Sequence, residues 1–75
     1  MTTATRYADE LVDLVKSGPG VSDGLLRFEQ IFDAYMIETV GGFVDKRKAL
    51  LEAFQDRAPA GELTSLILDK LGAIP

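Results

Sequence analysis

Residues 27–43, RFEQIFDAYMIETVGGF, read as the greater part of one helix followed by a glycine pair. At about 100° per residue, Leu25, Phe28, Phe32, Tyr35, Met36 and Thr39 fall in one broad stripe, and Ile31 and Val40 widen it on either side. Leu26 and Ile37 fall roughly a third of a turn outside that stripe. A surface helix needs one apolar stripe and a polar remainder, whereas a helix apolar on most of its circumference is buried on most of it. This segment is therefore expected to be the central packing element of its domain. The surplus at Leu26 and Ile37 is expected to be covered by the other helices of the chain or, where three short neighbours cannot reach it, to face another chain, because monomers rarely leave a large apolar patch bare.

Working outward, the helix begins after Gly18-Pro19-Gly20 and ends at Gly41-Gly42. Ser22 is a suitable N-cap, Asp23 in the first turn favours the helix dipole, and Val21 and Leu26 stand at the spacing of a hydrophobic staple. A helix over 22–40 follows. Before it, Ala4, Tyr7, Ala8, Leu11, Leu14 and Val15 recur at three- and four-residue steps, giving a helix over 3–17 closed by Gly18 as C′ residue. After it, Phe43, Leu50, Leu51, Phe54 and Ala58 mark a helix over 43–57, with Glu52 and Asp56 opposite them. Leu63, Leu66, Ile67 and Leu71 mark a fourth over 60–71, with Gly72 as its stop and Ala73 and Ile74 folding back onto the core. No segment shows sustained strand alternation. Short connections favour antiparallel neighbours, so the expected fold is an all-α, compact four-helix domain spanning residues 1–75.

Composition narrows the chemistry. A chain of 75 residues buries only about 60% of the surface it exposes when unfolded, so its stability is marginal. Cysteine is absent, which removes disulfides and thiolate metal ligands. Histidine is absent too, and with it the commonest general base and every Ser/His/Asp or Cys/His arrangement. No catalytic residue and no cofactor are expected. A net charge of −4 argues against nucleic acid, whose phosphates call for surplus Lys and Arg. No apolar run approaches a membrane span, and MTTATRYADE has neither the basic nor the apolar part of a secretory signal. A cytoplasmic location without membrane contact is the expectation.

Four stretches invite functional readings. Glu29/Asp33 and Glu52/Asp56 each place two carboxylates on one helix face, and oxygen ligands suit Mg²⁺. Glu52 and Asp56 point away from their stripe, so Glu29 and Asp33 are the better pair, as a weak alternative of a Mg²⁺-dependent hydrolase or metal-binding subunit. In GGFVDKRK, Lys46, Arg47 and Lys48 stand near a helix start, where cations oppose the dipole; contact with an acidic partner surface is one use for them. The full phosphate-loop pattern is missing. VSDGLL places a serine at a helix head, as in carrier proteins, but lacks the Asp-Ser-Leu order. ELTSLILDKLGAIP resembles the first helix and turn of a helix-turn-helix, but no recognition helix follows before Pro75. The function these residues fit best is non-catalytic binding of another protein, or of a second copy in a homodimer. Its contacts would be Leu26, Met36 and Ile37, with Tyr35 as aromatic anchor and Lys46, Arg47 and Lys48 as a charged rim. A structural part of a larger homo-oligomeric assembly is a further alternative.

Overall fold

The computed structural model describes residues 2–73. Among them lie four helices and no strand: α1 (Thr3–Lys16), α2 (Val21–Glu38), α3 (Phe43–Arg57) and α4 (Glu62–Ala73). The all-α, four-helix expectation holds.

Local chemistry sets the helix ends. Thr2 caps α1 by accepting the Thr5 N–H at 3.1 Å. At the other end Gly18, in the left-handed region at φ 71°, donates to the Val15 carbonyl, and Pro19 prevents continuation. α2 starts at Val21 rather than Ser22. Gly20 is its N-cap: its carbonyl accepts the first helical bond from the Gly24 N–H at 2.8 Å, and having no side chain it makes no side-chain capping bond. Ser22 thus lies inside the first turn, Val21 is helical, and Leu26 is exposed, so the expected staple does not form.

α2 stops at Glu38, short of Val40, as Thr39 turns extended and Gly41 adopts φ 129°. Only glycine enters that region freely, which explains the sharp corner leading into α3. α3 matches the expected 43–57. It ends where Ala58 precedes Pro59, since the residue before proline is driven out of the helical region. α4 is displaced from 60–71: Gly61 accepts the Ser65 N–H, and the helix runs through Gly72 instead of stopping there. Ala73 is therefore helical, and the expected fold-back of Ile74 lies outside the described residues.

α1 packs on both α2 and α3, and α4 packs on the same two helices from the other side. The helices form a ring in the order α1, α2, α4, α3. The core holds Tyr7, Ala8, Leu11, Val12 and Leu14 from α1, Phe28 and Tyr35 from α2, Leu50 and Phe54 from α3, and Leu63, Ile67 and Leu71 from α4. Burying each of the large side chains among them contributes about 1.5–3 kcal/mol. The most deeply embedded helix is α1 and not α2, contrary to the sequence expectation. α1 has a clean stripe with the small Ala8 fully buried in it, which permits close approach, whereas much of the apolar surplus of α2 points outward. The accessible surface of 4455 Å² is close to the roughly 4,500 Å² of an ordinary folded monomer of this mass. The ring therefore closes as a single chain, and its bare apolar groups are not half of a divided core.

Candidate interaction surface

Five large apolar side chains stand out from the described surface: Leu26 (56% exposed), Ile37 (86%), Val40 (96%), Phe43 (47%) and Val44 (45%). Their positions follow from helix geometry. Phe28 and Tyr35 fix the inward side of α2, and Leu26 and Ile37 then point almost directly away from it. Those two lie about 16 Å apart along the helix, with Gln30 and Asp33 between them, so they do not form one patch. Ile37 instead lies close in sequence to Val40, Phe43 and Val44, where α2 ends and α3 begins. Phe43 is anchored there by an edge-on contact with Phe32, ring centroids 6.5 Å apart, and Phe32 stacks on Phe28 at 5.9 Å.

Beside this corner lies an open groove of about 400 Å³. Ala4 of α1, Tyr35, Thr39 and Val40 supply its floor and one wall; Asp45 and Lys46 of α3 supply another. The Thr39 hydroxyl is buried in the wall and has no hydrogen-bond partner of good geometry. Its nearness nevertheless eases ionisation of the Tyr35 phenol slightly, against the stronger effect of burial, which pushes that phenol up.

The expected contact residues separate into two groups. Leu26 and Ile37 are exposed, as the periodicity indicated, and Lys48 is exposed one turn after Val44. Met36 is half-buried, and Lys46 is tied back, its Nζ donating to the Met36 carbonyl at 2.8 Å. Tyr35 cannot be a partner's anchor: it is fully buried, its ring meets Tyr7 edge-on at 5.5 Å, and its hydroxyl donates to the Lys46 carbonyl at 2.6 Å. Arg47 cannot be a charged rim, because it is buried and its Nη1 donates to the Leu71 carbonyl in the last turn of α4. There the guanidinium meets the negative end of the helix dipole, which takes the place of a carboxylate partner. Val40, Phe43 and Val44 complete the patch. The periodicity put Val40 and Phe43 into core stripes and passed over Val44. The one signal for exposure was their position beside the glycine pair, where a helix end has few neighbours. Glu29 and Asp33 are both exposed, and among the described residues no three acidic side chains come close enough to hold a metal ion. No helix among them is long and apolar enough to cross a membrane.

One polar cluster braces the corner. Glu38, the last residue of α2, accepts hydrogen bonds from Arg6 Nη2 and from the Tyr7 hydroxyl, and the Arg6 guanidinium lies 5.1 Å from the Tyr7 ring centroid. The Tyr7 and Arg6 donors hold the Glu38 carboxyl below the usual carboxylate range. A carboxyl depressed in the folded state stabilises the fold above its unfolded pKa of about 4.3, and that contribution disappears as the pH falls through the folded value. Thermal melts followed by circular dichroism should show a midpoint that declines below about pH 4.3, with part of the decline missing in Glu38→Gln. An identical decline in both proteins would mean that the brace carries none of the acid sensitivity.

Comparison with protein-family models, with curated proteins and with solved structures finds no match for the chain.

Proposed function

We propose that the protein is a non-catalytic, cytoplasmic binding module that docks another protein on the apolar corner of residues 37–44. The observation that carries this reading is concentration: four of the five exposed large apolar side chains lie within that one stretch, next to an open groove. Scattered surface hydrophobics are ordinary, but clustered ones rimmed by polar residues mark interaction sites. The absence of His and Cys from the sequence agrees with a role that needs no nucleophile, base or soft metal ligand.

Changing Ile37 and Val40 together to Asp tests it. Both side chains are almost wholly in solvent, so folding stability should change by no more than about 0.5 kcal/mol per site, read from urea unfolding in dilute solution. Association should be lost: proteins captured from the host extract by the wild-type chain should be missing from the captures of the double variant. An unchanged capture set, or a variant that fails to fold, contradicts the reading.

A further inference from the structure

We infer that residues 39–46 form a strap that opens and closes locally, and that the Lys46 side chain is the latch that holds it against α2. The strap overlaps the proposed docking stretch, yet the inference rests on the bonds that hold these residues and not on what docks there.

The strap is pinned at both ends and held by little in between. Before it, Glu38 is fixed to α1 by Arg6 and Tyr7. After it, Arg47 is buried and bonded to the Leu71 carbonyl of α4, and Leu50 and Phe54 follow into the core. From 39 to 46 no residue is buried: Thr39 and Lys46 are half-buried, and the six residues between them are exposed. None of its larger apolar side chains, Val40, Phe43 and Val44, joins the core. A segment with so few buried contacts opens at a lower free energy than the fold as a whole. Gly41 supplies the pivot: it sits at φ 129°, and glycine has the widest choice of other conformations to turn into. Thr39, Val40, Gly41, Gly42, Asp45 and Lys46 all line the open groove, which leaves room for movement on that side.

The holds on the strap converge on Lys46. Its Nζ donates to the Met36 carbonyl at 2.8 Å, and its own carbonyl accepts the Tyr35 hydroxyl at 2.6 Å. The two bonds run in opposite directions between the last turn of α2 and the first turn of α3, helices that otherwise pack little on each other. The ammonium meets a carbonyl near the negative end of the α2 dipole, a place that suits a cation. A further hold is the edge-on contact of the Phe43 ring with Phe32, and Phe43 remains 47% exposed in it. Tyr35 is fully buried, so its bond cannot be altered without touching the core, whereas the ammonium bond is charge-assisted and can be removed by itself. Opening the strap breaks both Lys46 bonds, unwinds the first turn of α3 and bares the Tyr35 and Thr39 hydroxyls to the groove.

Native-state hydrogen exchange of the whole chain, followed amide by amide by NMR, tests this. The Thr39 N–H, bonded to the Tyr35 carbonyl, and the Lys46 N–H, bonded to the Gly42 carbonyl, report on the strap. The amides of the fully buried Leu50 and Phe54 report on the core. In the wild-type chain, exchange at 39 and 46 should be insensitive to sub-denaturing urea, because a local opening exposes little surface; exchange at 50 and 54 should quicken with it. Lys46→Met keeps the stem and removes the donor. It should quicken exchange at 39 and 46 about tenfold and leave 50 and 54 within about twofold of wild type. Rates at 39 and 46 unchanged by the substitution would mean that Lys46 is no latch. Equal quickening at all four positions, or a wild-type urea dependence shared by all four, would mean that the segment opens only when the ring unfolds; either result overturns the inference. The measurement uses the chain alone, so its outcome is independent of whether another protein docks at residues 37–44.

Discussion

Replacing Tyr35 by alanine is expected to destabilise the folded chain by roughly 3–5 kcal/mol, the cost of emptying a fully buried aromatic site. A domain of this length has a total stability on the order of 4–11 kcal/mol, so the variant should be partly or wholly unfolded near room temperature. The size of the effect follows from what Tyr35 joins. Its ring is completely enclosed and meets Tyr7 of α1, and its hydroxyl reaches the Lys46 carbonyl in α3. One side chain of α2 thus ties together two other helices, including α3, on which α2 otherwise packs little. Tyr35→Phe should retain the ring packing and lose about 1 kcal/mol with the hydrogen bond. Urea unfolding followed by circular dichroism separates the two variants. A Tyr35→Ala protein as stable as wild type would place the ring at the surface, as the reading of Tyr35 as a partner's anchor requires.

Gly24→Val is the second substitution expected to act strongly. In most helices a glycine is a weak point, and a side chain there raises helix propensity by up to about 1 kcal/mol. Gly24 is different because α2 crosses α4 at that point. A Cβ on Gly24 would lie 2.6 Å from Leu63 Cδ2 and 2.9 Å from Cδ1. Leu63 is itself buried, so its end has little room to swing away. Overpacking of this kind costs about 1–3 kcal/mol, more than the propensity gain returns, and the branched Cβ of valine adds to it. The check is a pair of unfolding curves: Gly24→Val should lower the midpoint, and Leu63→Ala made in that background should cost much less than in the wild-type chain. Equal costs in both backgrounds would show that the two residues do not meet.

These two sites mark where the sequence could be read and where it could not. The helices themselves were legible because apolar spacing and glycine–proline punctuation are local signals. α3 was placed at both ends, and α1 differed by a single residue at Lys16. The start of α2 was missed because a serine and a glycine two residues apart both make acceptable caps. Leu26 and Ile37 could be recognised as outward-facing from periodicity alone. Periodicity placed Tyr35 in the inward stripe, but its use as a partner's anchor and the exposure expected of Arg47 both failed, since each has an apolar body and a polar tip, and each tip is satisfied by a carbonyl on another helix. Val40 and Phe43 kept the spacing of a core stripe, but a stripe says nothing about whether a neighbouring helix extends far enough to cover its last turn.

The account depends on the fold leaving Ile37 bare at the end of α2 while enclosing core residues such as Ile67. Isoleucine methyl spectra of the dilute protein, recorded with and without a soluble paramagnetic agent, test this within one sample, because Ile37 is 86% exposed and Ile67 is fully buried. The Ile37 methyls should relax strongly in the presence of the agent while those of Ile67 are spared. Ile37 methyls protected to the same degree as those of Ile67 would place that side chain inside the chain's own core and contradict the docking surface.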